Sequence, residues 1–257
     1  MALNSPYLDP ETGADEHGRL LRSDVVFNLR DLGGYEAADG RTIRWRTLLR
    51  GDGVHRLPAG DFTAMGVRTV LDLRTTAEIA ERGRAEAPGL HWYHLPVLRT
   101  VWEAEWFTDG MSPDRFLADR YLVMLEEGAE ALATALRVLG EPSSVPAIFH
   151  CAAGKDRTGV LASLTLALLG VDDGTIAADY HLSRAGMDRM VEFIRRTYPE
   201  RYDAMSDQPD VFLDSPAGTM ALFLADLRDR WGSVEAYAES IGAGPSVVEA
   251  LRANLLR

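Results

Sequence analysis

Cysteine occurs once in 257 residues, as Cys151, so no internal disulfide forms and no second thiol is present to trap an oxidised Cys151. Lysine is equally scarce, with Lys155 its only occurrence. No apolar run approaches the roughly 20 residues of a membrane span. Residues 1–24 lack the positive start and apolar stretch of a signal peptide, which leads to the expectation of a cytoplasmic protein. A basic excess is missing too: 27 basic against 39 acidic residues give a net charge of −12, which argues against an extended nucleic-acid surface. The six histidines are scattered without a His-Glu-x-x-His pair, and His91 and His94, three apart on an expected strand, face opposite sides. No metal site is indicated. A Gly-x-Ser-x-Gly elbow is absent, and a nucleotide-binding loop around Lys155 would need glycine where Phe149 stands and Ser or Thr where Asp156 stands. Serine hydrolysis and ATP binding are thereby disfavoured, and no cofactor is implied.

What is present suits one sizeable core, with 46% apolar and 26% charged residues. Strands are expected at 25–27, 43–49, 67–73, 90–97 and 145–149, with helical patterns between them. Thr75 and Glu78 have the spacing of a capping box, Ser112-Pro113 opens a second helix, and Ser215-Pro216, Ser233 and Pro245 open three more in a helical tail. This order gives an α/β fold: a central, mostly parallel sheet flanked by helices, with a helical C-terminal region. The organisation expected is a polar lead at 1–24 and a single domain at 25–257.

The chemistry concentrates in His150-Cys151-Ala152-Ala153-Gly154-Lys155-Asp156-Arg157-Thr158-Gly159. The apolar run before it reads as a buried strand, and 158–169 is apolar all round, as a core helix is. The loop therefore lies at a strand's C-terminal end, where backbone N–H groups from Ala152 to Thr158 and a helix N-terminus converge on an anion. Those donors, with Lys155 and Arg157, favour thiolate over thiol at Cys151 and make it a nucleophile. The planar Arg157 fork grips two phosphoryl oxygens, more tightly as charge spreads onto them. The Thr158 hydroxyl is positioned to hydrogen-bond the sulfur as it leaves, and His150 to orient the loop from below. The residues point to hydrolysis of phosphate monoesters.

This string resembles that of cysteine-dependent protein tyrosine phosphatases, in the bacterial branch carrying HCxxGKDRTG. Asn28-Leu29-Arg30-Asp31-Leu32-Gly33-Gly34-Tyr35 resembles that branch's N-terminal signature, Val70-Leu71-Asp72-Leu73-Arg74 its strand ending in DLR, and Asp179-Tyr180-His181-Leu182-Ser183 a later helix. The likeness spans about residues 25 to 255. It implies a tyrosine phosphatase-like fold and a phosphorylated protein substrate, most often at phosphotyrosine, sometimes at phosphoserine or phosphothreonine, or else a phosphoinositide. The in-loop lysine and aspartate are similar to residues of lipid phosphatases. Asp156 resembles the aspartate that protonates the leaving oxygen in myotubularin-type lipid phosphatases and is the first candidate for that role. The second is Asp72, because tyrosine phosphatases more often carry the acid on a separate loop and Asp72 ends a strand at the sheet edge where sites collect. Asp156 could instead brace the loop, and Asp72 could instead pair with Arg74 or Arg30.

Arg30, Arg74, Lys155 and Arg157 are expected to build a local basic pocket. Aromatic and methionine side chains at 101–116 and 187–205 are expected to pack on the core, with either stretch able to cover the site instead. A silent phosphate-binding module would lose Cys151 or Arg157, and arsenate reduction needs further thiols. Sulfur transfer remains the enzymatic alternative.

Overall fold

The computed structural model describes residues 18–108, 110–206 and 209–257. Most of the lead expected at 1–24 lies outside them. Five strands, β1 (Arg30–Asp31), β2 (Leu48–Gly51), β3 (Thr69–Asp72), β4 (His91–His94) and β5 (Ala147–His150), form one sheet in the order β1, β2, β5, β3, β4. Only β1 is antiparallel to its neighbour. Helices α1 (Ala59–Ala64), α2 (Thr76–Arg82), α3 (Pro113–Glu127), α4 (Ala129–Gly140), α5 (Asp156–Leu168), α6 (Asp173–His181), α7 (Ser183–Thr197), α8 (Pro199–Ser206), α9 (Ala217–Trp231), α10 (Val234–Ser240) and α11 (Pro245–Leu255) flank it, the last three forming the helical C-terminal region.

Side chains alternate across a strand, and the two faces of this sheet accordingly feed two cores. Leu49, Val70 and Ile148 turn to the smaller one, with Val26, Leu29, Val54 and Phe62. Leu48, Leu71 and Phe149 turn to the larger one, which Val160, Leu161 and Leu164 of α5 fill from the other side. Each such fully buried side chain contributes about 1.5–3 kcal/mol. Sheet and α5 are thus fixed against each other through the strand that leads into the candidate loop.

Local signals set most helix starts. The Thr75 hydroxyl accepts from the Glu78 N–H while the Glu78 carboxylate accepts from the Thr75 N–H, completing the capping box. Ser112 and Ser233 cap α3 and α10. At α9 the Ser215 side chain does not cap; its hydroxyl donates to the His181 carbonyl, and the helix begins at Ala217.

Two expected strands are displaced. Residues 25–27 do not pair as a strand, because the Phe27 and Asn28 amides, each at 2.8 Å, go to the Asp52 carboxylate, and pairing starts only at Arg30. The run expected at 43–49 is broken at Arg46, whose φ of 58° lies in the left-handed region and whose amide goes to Asp31 Oδ2, so β2 begins at Leu48.

Candidate active site

Cys151 directly follows β5, the middle strand of the sheet, and Asp156 opens α5, so the loop between them lies at a strand's end and a helix's start. Its carbonyls are pulled outward. Gly53 N–H donates to the Ala152 carbonyl at 3.2 Å, Asn28 Nδ2 to those of Ala153 at 3.1 Å and Gly154 at 3.0 Å, and Arg50 to that of Gly154 at 2.9 Å. In a trans peptide the N–H points opposite to the C=O. The Ala153, Gly154 and Lys155 amides therefore turn to the inner side of the loop, and no acceptor among the described residues takes them. Gly154 is required here: its φ is 66°, and a Cβ would sit 2.6 Å from the Gly51 and Asp52 backbone.

Arg157, on the first turn of α5, is fixed by Glu78 through Nη1 to Oε2 at 2.5 Å and Nη2 to Oε1 at 3.0 Å. Burial opposes the Arg157 charge, but the Cys151 and Glu78 charges beside it outweigh that and raise its pKa. Glu78 is likewise pushed up by burial and more strongly pulled down by Arg157, to about 2.

Asp72 takes both Arg74 Nε and Nη2, at 2.9 and 2.7 Å, and lies 3.4 Å from His150 Nε2. The opposing cost of burial is overcome by Arg74 and His150, which hold the carboxyl well below the usual carboxylate range. It is completely buried. These partners disfavour the protonated Asp72 that its candidacy as acid requires; Asp72 instead pairs with Arg74 beside His150, whose Nδ1 meets the Cys151 carbonyl at 3.1 Å.

Asp156 lies at the head of α5, and its side chain is 21% exposed. Tyr121, from α3, donates to Oδ1 at 2.6 Å; the same Tyr121 oxygen is 2.6 Å from the Tyr180 hydroxyl of α6. Lys155 Nζ is 3.5 Å from Oδ1.

The segment 28–35 surrounds the loop from one side. Asn28 holds two loop carbonyls, as above, and Arg30 donates to Asn28 Oδ1 and, at 3.0 Å, to Asp179 Oδ1. Arg50, the cross-strand neighbour of Arg30, reaches Asp179 Oδ2 at 2.5 Å, and Tyr35 donates to Oδ1 at 3.1 Å. Burial would raise the Asp179 pKa, but these two guanidiniums drive it down. Arg50 itself falls to about 10, through burial and the charge of Arg30.

The basic pocket expected from four cations is not assembled. Arg30 is committed to Asp179 and Arg74 to Asp72. Lys155 is buried, with its ammonium on the carbonyls of Val211, Phe212 and Asp214 at 3.2, 2.9 and 2.8 Å. Of the four, Arg157 alone stays with Cys151. The Thr158 hydroxyl is buried without a hydrogen-bond partner, so the expected bond to the sulfur is not made. Trp102 stacks on Tyr121, and Phe116 packs between Phe107 and Phe212, as core packing predicts, whereas Trp106 and Met111 are exposed. In the stretch 187–205, Phe193 packs on Phe27 and Tyr198; the side chains at 201, 204 and 205 lie outside the described residues.

Sequence reasoning missed Glu78, Tyr121 and Arg50. Glu78 carried only its capping signal, Tyr121 sat at an ordinary core position of a helix, and nothing marked Arg50.

A buried free thiol, inward backbone amides and a braced arginine at the end of the central strand are the arrangement of a cysteine-dependent phosphatase. The chain belongs to the tyrosine phosphatase family, whose model matches residues 21–257. It is 30% identical over 233 residues, 84% of this chain and 82% of the other, to a Cupriavidus necator protein named provisionally as a tyrosine-protein phosphatase. It is 27% identical to the triple specificity protein phosphatase PtpB of Mycobacterium tuberculosis, over 90% of this chain and 97% of that one. A tyrosine-protein phosphatase of Nostoc commune is 28% identical over 75% of this chain and 67% of its own length. Phosphorylated substrates follow from this membership. No helix among the described residues is long and apolar enough to cross a membrane.

Proposed function

We propose that the chain hydrolyses phosphotyrosine on proteins through a phosphocysteine intermediate. The observation that carries this is the loop itself: carbonyls held outward by Gly53, Asn28 and Arg50 turn three successive amides inward beside Cys151. Those amides and the Arg157 fork bind the phosphoryl oxygens; the Cys151 thiolate attacks phosphorus in line as the bond to the leaving oxygen breaks. Asp156, partly exposed at the head of α5, protonates that oxygen. Water then cleaves the phosphocysteine. The burial of Lys155 on backbone carbonyls favours phosphotyrosine over a phosphoinositide, because this ammonium is turned away from a polyanionic head group. Two of the three relatives carry tyrosine-protein phosphatase names, while the third is named for triple specificity. The thiolate must stay reduced, which suits the cytoplasmic location expected from the sequence. A single domain over 25–257 is part of the same reading.

The test is phosphate release, with chelator present, by wild type and Cys151→Ser on matched phosphotyrosine, phosphoserine and phosphoinositide substrates. Metal-independent turnover, fastest on phosphotyrosine and lost in Cys151→Ser, is expected. Turnover that survives Cys151→Ser would overturn the mechanism, and preference for the lipid would overturn the substrate assignment.

A further inference from the structure

Tyr121 is a buried phenol inside an otherwise apolar cluster, stacked by Trp102 with centroids 6.1 Å apart and met edge-on by Phe223 at 5.8 Å. Fixed by that packing, its hydroxyl can reach two groups only: Asp156 Oδ1 and Tyr180 Oη, each at 2.6 Å. A hydroxyl has one proton to give. Two directions are therefore open to the chain Asp156, Tyr121, Tyr180. In one, Tyr180 donates to Tyr121 and Tyr121 donates to Oδ1. In the other, a protonated Oδ1 donates to Tyr121, which donates to Tyr180.

Lys155 selects between them. Its ammonium, 3.5 Å from Oδ1, favours an electron-rich acceptor oxygen there and disfavours an O–H. Burial raises the pKa of both tyrosines, which keeps them protonated and able to donate. A carboxyl whose Oδ1 accepts in this way carries its proton on Oδ2, on which no hydrogen bond from a described residue falls.

We propose that Tyr121, backed by Tyr180 and Lys155, is the positioning residue of the acid: it holds Asp156 Oδ1 as acceptor and so places the transferable proton on Oδ2. This rests on the assignment of Asp156 as the acid. In the step itself the S–P bond forms, the bond from phosphorus to the leaving oxygen breaks, and the Oδ2 proton moves to that oxygen. Asp156 is left as a carboxylate, to which Tyr121 still donates; both tyrosine protons stay in place.

The experiment compares kcat/KM on aryl phosphates graded from 2,4-dinitrophenyl, which leaves unaided, to phenyl, which needs a proton. Tyr121→Phe, Tyr180→Phe, Asp156→Asn and the double variant Tyr121→Phe/Asp156→Asn are measured. For Tyr121→Phe the loss is expected to grow with leaving-group basicity, from within about twofold on the dinitrophenyl ester to about tenfold on the phenyl ester. In the Asp156→Asn background it should add nothing, because the two residues act as one unit. A level loss across the series, or losses that multiply in the double variant, would mean a purely structural role and overturn the proposal. If Tyr121→Phe does not fold, Tyr180→Phe decides in the same way, with a smaller tilt expected and a level response overturning it. Should Asp156→Asn itself lose equally on every ester, the assignment of the acid fails, and this inference with it. A tilted Asp156→Asn beside level tyrosine variants sinks the inference alone.

Discussion

The Glu78 carboxylate that closes the capping box of α2 is the same group that grips the Arg157 guanidinium with both oxygens. One side chain thus starts a helix and aims Arg157. The two duties separate by mutation. Glu78→Gln keeps a side chain able to cap but not a charge to hold Arg157, and kcat/KM on an aryl phosphate should fall by roughly tenfold to a hundredfold. Thr75→Ala should cost about 1 kcal/mol in chemical denaturation and little activity. Equal activity in both variants would show that the Arg157 contact is incidental.

Asp179 neutralises two guanidiniums, Arg30 and Arg50, that stand opposite each other on β1 and β2. Asp179→Asn leaves both buried without a counter-charge. The expected cost is about 3–5 kcal/mol, seen as a lower urea midpoint. A loss below about 1 kcal/mol, the scale of an exposed pair, would contradict this geometry.

Lys155 ties the segment carrying Val211, Phe212 and Asp214 to the candidate loop. With Lys155→Met, amide hydrogen exchange at 210–215 should quicken at least about tenfold as the anchor is lost. KM should change less than that exchange rate. If KM rises while exchange stays unchanged, the ammonium serves substrate and the clamp is wrong.

His55 predicts a pH dependence. Burial, followed by the charges of Arg74 and His150, lowers its pKa from 6.5 to about 3 in the folded chain. The unfolded chain takes up a proton below 6.5 while the folded chain stays neutral, so this stability is present above 6.5 and is lost progressively as pH falls toward 3. Urea midpoints at pH 7, 6 and 5 should decline in wild type and decline less in His55→Gln. Parallel declines would assign the slope to other groups.

The loop was legible because its parts are contiguous: an apolar strand, Cys151, Gly154, then Arg157 opening an apolar helix. The parallel sheet followed from strands alternating with helices. What was not legible depends on contacts distant in sequence. Residues 25–27 have the composition of a strand, but Asp52, far along the chain, takes their amides. The direction of Lys155 is set by carbonyls of 211–214, and a sequence string cannot show that a loop cation points inward. Glu78 was hidden by the adequacy of its local explanation. For Asp72, the pairing with Arg74 two residues away was an open alternative, and the structure adopts it.

The burial of Lys155 has a practical consequence for a chain with no other lysine. Acylating reagents meet no side-chain amine on the folded surface, so a dye or acetyl donor that labels this position counts molecules in which the candidate loop has opened. The protein therefore carries its own reporter of local unfolding, read in a mass spectrum without any engineered label.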